Sequence, residues 1–321
     1  MQPILIVGGA GYIGSHMLLH LKTAGYQPIV LDNLSTGHRE AVLDAELIVG
    51  DMNDAALLSN LFSRYSFSAV MHFAACIEVG ESVRDPLKYY KNNVAATITL
   101  LEAMQKHQIE TLIFSSTAAV YGLPNAASIN EAHPLNPINP YGRSKLMIEQ
   151  IIQDLAQQGK LHYAILRYFN AAGADAEARI GECHQPESHL IPLLLQVARG
   201  ERKNITVFGV DYPTIDGTCV RDYIHVDDLC AAHLSALNIL LAEKRNLICN
   251  LGLGHGYTVL EVINKVRQIT GHSIPIIEGQ ARAGDPPILV ADAQLAYREL
   301  KWQAQADLAQ IITHAWQYVE I

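Results

Sequence analysis

The sequence predicts an α/β protein: a doubly wound parallel sheet, accompanied by a smaller mixed α/β domain. Three observations support this class. Short, almost continuous apolar runs recur through the first half, longer helical patterns separate them, and half of the 321 residues are hydrophobic while 17% are charged. Strands covered by helices on both faces of a parallel sheet are apolar on both sides, so they lack alternation. Alternation of strands and helices on this scale is typical of right-handed crossovers.

Apolar runs in the first half mark the predicted strands, which are Ile4–Val7, Ile29–Leu31, Leu47–Val49, Ala69–His72, Leu112–Phe114 and Tyr163–Leu166. Two of the helical patterns between them begin at Pro86 and Pro140 and run to about His107 and Gln158. Proline suits the first turn of a helix because the N–H that it lacks would have no partner there. These patterns predict a regular α/β order up to about residue 172.

The second half is less regular. Gly, Pro, Asp and His crowd the stretches Gly173–His189 and Phe208–Gly217, and long irregular connections of this kind are often functional. We predict a cofactor domain at 1–172 and a smaller substrate domain at 173–321, which ends in a helix. A segment near 222–250, with a long apolar helix after His225, is expected to return to the first domain.

Charge and composition exclude several classes. The chain has 23 Lys and Arg against 32 Asp and Glu, a net charge of −9, whereas nucleic acids and anionic membranes are bound by clustered positive charge. Five cysteines without a CxxC pair predict small buried residues rather than a disulfide framework or a zinc ribbon, and we expect no metal site. No signal peptide or membrane span is evident, so we expect a cytoplasmic protein.

A glycine-rich turn follows the first predicted strand and opens a helix. Gly8, Gly11 and Gly14 lie in the run GGAGYIG, where glycines permit a tight turn and close approach of the backbone to a pyrophosphate. The helix N-terminus then attracts the phosphates. Asp32 ends the second strand, 18 residues after Gly14, where a carboxylate binds ribose hydroxyls and repels a 2′-phosphate. The pattern predicts a Rossmann-type site that favours NAD over NADP.

Two further strand ends carry candidate cofactor contacts. Asp51 follows the third strand, where it can meet the edge of an adenine ring or cap the turn before the next helix, and the sequence leaves both open. Phe73 and Ala74 follow the fourth strand, at the edge where small residues leave room for the second half of a dinucleotide.

Tyr141 and Lys145 stand four residues apart in YGRSK, so they project from one face of a predicted helix. A positive charge near a phenol, joined by an oxidised nicotinamide ring, lowers the tyrosine pKa from about 10 and makes it a usable base. Ser116 and Thr117 end the fifth strand, and one of these hydroxyls is expected to contact the substrate oxygen that Tyr141 deprotonates. We predict that Tyr141, Lys145 and Thr117 are catalytic.

Together with other segments, these motifs resemble the extended short-chain dehydrogenase/reductase superfamily and, within it, the UDP-glucose (UDP-galactose) 4-epimerases. The similarity covers essentially the whole chain and rests on GGAGYIGSH, DNLSTGHRE, GESVRDPLKYYKNNV, FSSTAAVYG, YGRSK, RYFNAAGA, FGVDYPTIDGTCVRDYIHVDDL, CNLGLG and RAGDPPILVAD. It implies that NAD is contacted by Tyr12, Ile13, Asp32, Asn33, Asp51, Met52, Phe73, Asn92, Tyr141, Lys145 and Phe169.

The resemblance also implies a UDP-hexose substrate, bound by Asn170, His189, Phe208, Arg221, Arg282 and Asp285. The forked donors of arginine match diphosphate oxygens. Leu289 is implied to border the substituent on carbon 2 of the sugar, which would make UDP-N-acetylhexosamines weaker substrates. The chain departs from the family pattern at Ile77, where many members carry Lys, and at His189, where some carry Asn.

The implied reaction is redox-neutral inversion at carbon 4. Hydride passes to tightly bound NAD, the 4-keto sugar turns within a site that grips mainly the nucleotide, and hydride returns to the other face. The family also implies a homodimer, formed through the helices that begin at Pro86 and Pro140.

Alternatives on the same fold are a nucleotide-sugar 4,6-dehydratase or a decarboxylase. These resemble each other in carrying acidic residues after the threonine of the fifth strand, where this chain has Ala118 and Ala119. A uronate 4-epimerase is disfavoured by the RYFNAAG segment. A non-catalytic NAD-binding regulator is a different class, and it would not need the Tyr141 and Lys145 pair.

Overall fold

The computed structural model describes residues 2–124, 126, 128–282 and 285–320. The chain divides into two compact units, each built from three separate stretches. The first unit comprises Met1–Gly122, Pro134–Arg167 and Cys230–Cys249, and the second comprises Leu123–His133, Tyr168–Leu229 and Asn250–Ile321.

The described residues form thirteen strands, and each of the six predicted strands lies inside one of them. The strands are β1 (Pro3–Val7), β2 (Gln27–Asp32), β3 (Glu46–Val49), β4 (Ala69–His72), β5 (Thr111–Thr117), β6 (His162–Tyr168), β7 (Asn170–Ala172), β8 (Ile205–Phe208), β9 (Val220–His225), β10 (Leu247–Leu251), β11 (Gly256–Thr258), β12 (Ile276–Gly279) and β13 (Ile288–Leu289).

The described residues also form eleven α-helices: α1 (Tyr12–Thr23), α2 (Ala55–Arg64), α3 (Val79–Arg84), α4 (Pro86–Tyr89), α5 (Ala96–Lys106), α6 (Pro140–Gln157), α7 (Leu190–Ala198), α8 (Val226–Glu243), α9 (Val259–Thr270), α10 (Gln294–Leu300) and α11 (Leu308–Glu320). Among them, none combines the length and apolar character needed to cross a membrane.

The central sheet has seven strands in the order β10-β6-β5-β4-β1-β2-β3, so the predicted doubly wound fold is confirmed. Parallel pairing places Val7 beside both Leu31 and His72, which brings the carboxyl ends of β1, β2 and β4 to one edge. The strand order reverses at β1, and in open α/β sheets ligands bind at such a switch point.

The inner strands of the first unit are buried almost throughout, as expected where helices cover both faces of a parallel sheet, whereas the edge strand β3 is only partly buried. All four residues of β4 are buried, and Leu5, Leu100, Phe114 and Ile148 are essentially inaccessible members of one cluster. Burying an aliphatic or aromatic side chain contributes about 1.5–3 kcal/mol relative to leaving it exposed. This core fixes the sheet edge at which the site residues lie.

The predicted single helix from Pro86 to His107 is interrupted. The backbone is helical over this range, but a π-helical turn at Tyr90–Ala95 separates α4 from α5. The Asn93 side chain inside the turn donates to the Cys76 carbonyl and to the Ser144 hydroxyl, both at 3.0 Å. Hydrogen bonds from a side-chain amide leave no mark in the apolar periodicity, so the sequence pattern did not predict the π-helical turn.

The second unit is a mixed α/β structure, as predicted. Its larger sheet is arranged around β9, which pairs with β7 and β13 in parallel and with β11 antiparallel. A separate parallel pair joins β8 and β12. Buried residues of α7, α9 and α11, among them Leu194, Val262 and Ile311, form the core of this unit.

The turn between β1 and α1 depends on Gly8. Its φ is +84°, its N–H donates to the Leu31 carbonyl at 2.9 Å, and a Cβ there would lie 2.5 Å from the backbone nitrogen of Ala74. The same turn therefore has both a left-handed backbone and no space for a side chain.

We expect Gly8→Ala to destabilise the protein more than Gly25→Ala. Both positions have φ of +84°, but a Cβ at Gly25 meets nothing within 4 Å. Gly25→Ala should cost only the left-handed strain of about 1–2 kcal/mol, while Gly8→Ala adds a clash with rigid backbone. Thermal unfolding of both variants measures the difference. Equal losses of thermal stability in the two variants would show that the turn can shift to make room for a Cβ at Gly8.

Candidate active site

The glycine turn and the start of α1 lie in close contact. A Cβ at Gly14 would lie 2.2 Å from the Gly8 carbonyl oxygen, so helix and turn touch closely. Gly11 is the N-cap residue of α1, contributes no capping side chain, and is followed by a first turn without acidic residues. Tyr12 and Ile13 are the first two residues of this helix. A helix N-terminus of this kind attracts anions.

The ends of β2 and β3 bring Asp32, Asn33 and Asp51 together. One oxygen of Asp32 accepts the Ala10 N–H at 2.9 Å and the other accepts the Leu34 N–H at 2.8 Å. Asn33 donates its amide to Asp51 at 2.9 Å. Asp51 also accepts the Asn53 N–H at 2.8 Å, so the turn role that the sequence left open is present.

The remaining cofactor candidates of the first unit differ in environment. Met52 is buried in the core. The Phe73 and Ala74 N–H groups donate to the Val7 carbonyl at 2.8 and 3.0 Å, which holds the end of β4 against β1. Asn92 lies in the π-helical turn and donates to the Asn93 side chain at 3.0 Å.

Tyr141, Lys145 and Thr117 form the predicted catalytic group. Asn139 caps α6 by accepting the Gly142 N–H at 2.8 Å, which sets the first turn that carries Tyr141. Lys145 is buried and its Nζ donates to the Ser115 carbonyl at 2.8 Å. Tyr141 is hydrogen-bonded to the Thr117 hydroxyl, so the end of β5 and the start of α6 meet at the phenol.

Burial dominates the electrostatics of this group. It raises the pKa of Tyr141 to about 12, although the hydrogen bond with Thr117 opposes the rise. It lowers the pKa of Lys145 to about 7, while the charge of Glu149 opposes the fall. The sequence predicted a lowered tyrosine pKa from Lys145 together with a nicotinamide ring. In the chain alone the direction is the opposite, because desolvation outweighs the local bonds.

A buried ion pair supports the catalytic face of α6. The Arg167 Nε donates to Glu149 Oε1 at 3.0 Å and its Nη2 donates to Oε2 at 2.5 Å. The Ser116 hydroxyl donates to Glu149 Oε1 at 2.5 Å, and Arg167 Nη1 donates to the Tyr121 hydroxyl at 3.0 Å. Ser116 is thus engaged with Glu149, and Thr117 is the hydroxyl that meets Tyr141.

Sequence reasoning missed Glu149 and Arg167. The signal was present, since Glu149 stands four residues after Lys145 and therefore on the same face of the helix. A charged residue in an otherwise apolar face calls for a buried partner, and Arg167 ends the apolar run of β6. Neither residue belongs to a catalytic motif, so motifs alone do not indicate them.

In the second unit, the predicted diphosphate contacts form two pairs. Arg221 donates to Asp285 Oδ1 at 2.5 Å and to the Pro286 carbonyl at 2.9 Å. The Arg282 guanidinium lies 4.3 Å from the centroid of the Phe208 ring. Leu289, in β13, is half-buried and is the register partner of Arg221 in β9.

The other second-unit candidates lie on β7 and before α7. Phe169 is buried and Asn170 begins β7, where it pairs with Tyr223. His189 Nδ1 lies 2.8 Å from Glu182 Oε1 and 3.3 Å from Glu187 Oε1. Burial disfavours the charged imidazole, but the bonds with these two carboxylates outweigh it and raise the pKa of His189 to about 10.

Residues 4–252 match the family model described as the NAD dependent epimerase/dehydratase family. The chain belongs to this family. The UDP-glucose 4-epimerase of Rhizobium leguminosarum bv. trifolii is 49% identical to it over 317 residues, which cover 99% of this chain and 97% of that protein.

Solved structures are similar over the same length. The crystal structure of UDP-glucose 4-epimerase from Brucella ovis in complex with NAD has a TM-score of 0.96 and 46% identity, and covers 99% of this chain and 98% of that one. The structure of the UDP-Glc/GlcNAc 4-epimerase from Campylobacter jejuni has a TM-score of 0.87 and 42% identity, and covers 100% of this chain and 99% of that one.

We expect Glu149→Gln to destabilise the protein by about 3–5 kcal/mol, because it leaves the Arg167 charge buried without its counter-charge. The double variant Glu149→Leu with Arg167→Met should lose less stability than Glu149→Gln, because it leaves no unpaired charge in the interior. Glu46→Gln, which removes the partner of Arg64 in an exposed pair, is the control and should change little. Denaturant unfolding measures all three. A loss from Glu149→Gln no greater than the control's would contradict a buried, tightly paired carboxylate.

Proposed function

We propose that this chain is an NAD-dependent epimerase that interconverts UDP-glucose and UDP-galactose by inversion at carbon 4. The observation that carries the proposal is the contact of Tyr141 with Thr117, together with the buried Lys145 on the same helix face. Extensive identity to UDP-glucose 4-epimerases over the full chain supports the substrate class.

The residues of the first unit fit a dinucleotide. A Cβ at Gly8 or Gly14 would collide with the backbone of Ala74 or Gly8, so these glycines let the turn pack tightly against β4 and α1. A Cβ at Gly11, the N-cap residue of α1, would meet only the Gly8 carbonyl oxygen, at 3.4 Å. Asp32 and Asp51 are carboxylates suited to ribose and adenine groups. We assign the cofactor contacts to the residues named from the resemblance. Bound NAD+ supplies the hydride acceptor for carbon 4.

Tyr141 is the proton acceptor for the 4-hydroxyl and the donor on return. Thr117 Oγ1 accepts the Ala119 N–H at 3.1 Å. Its hydrogen bond with Tyr141 opposes the rise of the tyrosine pKa, as expected when a hydroxyl donates to the charged form of the phenol. Lys145, with a pKa near 7, can hold or release a proton near neutrality. Proton transfer by a positioned group contributes roughly 100- to 10,000-fold in rate.

Elimination or decarboxylation is less well supported. Ala118 and Ala119 begin the 3₁₀ turn after β5, and neither side chain can donate or accept a proton. A non-catalytic regulator does not require the Thr117–Tyr141 contact. Sustained turnover in a coupled assay separates the epimerase from the regulator.

We assign the nucleotide sugar to the second-unit residues Asn170, His189, Phe208, Arg221, Arg282, Asp285 and Leu289. The guanidinium groups of Arg221 and Arg282 are each suited to a diphosphate. The half-buried Leu289 next to Arg221 is the candidate for limiting substituents at carbon 2.

We also propose a homodimer, and a cytoplasmic location. Exposed apolar side chains lie on α3, α4, α5 and α6. Val83 on α3 and Leu87 on α4 are 64% and 67% exposed, and Ile98 on α5 and Met147 on α6 are about 40% exposed. Apolar surface of this kind is typical of protein interfaces. All five cysteines are free, which suits a reducing compartment.

We expect Tyr141→Phe to lower kcat for UDP-galactose by at least 100-fold while NAD stays bound, because only the phenolic oxygen is lost. Tyr297→Phe, at an exposed tyrosine, is the matched control and should keep normal activity. A coupled assay for UDP-glucose gives the rates, and analysis of denatured protein identifies the nucleotide. A rate near that of the wild type would refute the role of Tyr141, and stoichiometric NADP would refute that of Asp32.

We expect the wild type to use UDP-N-acetylhexosamines roughly 10- to 100-fold less efficiently than UDP-glucose and UDP-galactose, which corresponds to about 1–3 kcal/mol of overfilling. Leu289→Tyr should widen this ratio because the side chain is larger. Ile277→Tyr, on an exposed strand position, is the control. The ratio of kcat/KM for the two substrate pairs is the measurement, and an unchanged ratio in Leu289→Tyr would mean that Leu289 does not limit the pocket.

A further inference from the structure

Four side chains in the segment before α7 converge on one point. Glu182, His184, Glu187 and His189 each offer a donor atom, and these atoms all lie within 4.8 Å of one another. His189 Nδ1 is 2.8 Å from Glu182 Oε1 and 3.3 Å from Glu187 Oε1. His184 Nδ1 is 3.3 Å from Glu182 Oε1 and 3.6 Å from Glu187 Oε2.

These separations are those of a tetrahedral metal site. Zinc binds histidine nitrogen and carboxylate oxygen at about 2.0–2.2 Å, so neighbouring ligands in a tetrahedron are roughly 3.3–3.6 Å apart. The nitrogen-to-oxygen distances of the cluster, 2.8–3.6 Å, bracket this range. The four donor atoms lie within 4.8 Å of one another, so any pair wider than the tetrahedral separation must draw together for all four donors to reach a single ion.

Burial favours an ion over an open acidic surface. The Glu182 and Glu187 side chains are only 6% and 5% exposed, and the Nδ1 atoms of both histidines are buried. Two neighbouring carboxylates away from water require positive charge. One divalent ion supplies it from the centre.

The backbone already orients one of the ligands. The Ser188 and His189 N–H groups donate to Glu187 Oε1 at 2.7 and 2.8 Å, and hydrogen bonds of this kind fix the carboxylate ligands of metal sites. His189 is also the N-cap residue of α7. An ion at this point would therefore tie the segment 182–189 to the start of that helix.

We propose that Glu182, His184, Glu187 and His189 form a structural binding site for a divalent transition metal, with zinc as its best fit. Two imidazole nitrogens and two carboxylate oxygens in a closed tetrahedron suit zinc, which has no geometric demand of its own. All four positions are taken by protein, so the ion stabilises the segment and takes no part in proton transfer. The proposal shares His189 with the proposed nucleotide-sugar site, where it uses Nδ1 alone, and it does not rest on the proposed epimerase activity.

The test uses the full chain with its cofactor as purified. The protein is dialysed against a chelator, titrated with zinc chloride alone, and freed of unbound metal before elemental analysis. We expect the wild type to retain one zinc ion per chain. His184→Gln and Glu182→Gln should weaken zinc binding at least 10-fold. Cys183→Ser, inside the segment but outside the cluster, and Glu177→Gln, five residues before it, should bind zinc like the wild type.

X-ray absorption of the zinc-loaded wild type keeps the test independent of variant folding. We expect nitrogen and oxygen neighbours at about 2.0–2.2 Å and no sulfur at about 2.3 Å. Wild-type protein that retains no zinc, or the same affinity in His184→Gln, or a sulfur neighbour would each overturn the proposal. A lost epimerase activity with zinc binding intact would leave it standing, so the two proposals fail separately.

Discussion

The buried ion pair between Glu149 and Arg167 is the interaction on which the catalytic face depends. A single carboxylate on α6 accepts bonds from Arg167 on β6 and from Ser116 on β5. Removing two charges from water costs free energy. The attraction between the charges offsets this cost only when the geometry is good and further hydrogen bonds are made, and both conditions are met here. Because this pair fixes α6 against two strands, the positions of Tyr141 and Lys145 follow from it.

The same desolvation sets which groups around the phenol can change charge. His72, hydrogen-bonded with Thr97 at 2.8 Å, has a pKa lowered to about 3 by burial and by the charge of Lys145, so it stays neutral. Lys145 titrates near neutrality, whereas Tyr141 holds its proton. Burial therefore favours the protonated phenol of Tyr141, and the hydrogen bond with Thr117 opposes this preference.

Sequence patterns predicted the six main strands, the glycine turn and the Tyr141–Lys145 face, because each depends on local periodicity or on short spacing. They did not predict the partner of Ser116 or the π-helical turn, because these depend on residues distant in the sequence and on burial. Glu182, His184, Glu187 and His189 are close in the sequence, but only the fold shows that their donor atoms converge.

The π-helical turn at Tyr90–Ala95 constrains how this chain can gain or lose residues. Lys91 is exposed, so a deletion there removes no core side chain and leaves a shorter, regular α-helix. Each residue of an α-helix advances the side-chain direction by about 100°, so the deletion would rotate α5 by that angle relative to α4. Thr97 would turn away from His72, and Leu100 would leave the core. A single extra residue in the turn thus sets the rotational phase of the helix that follows.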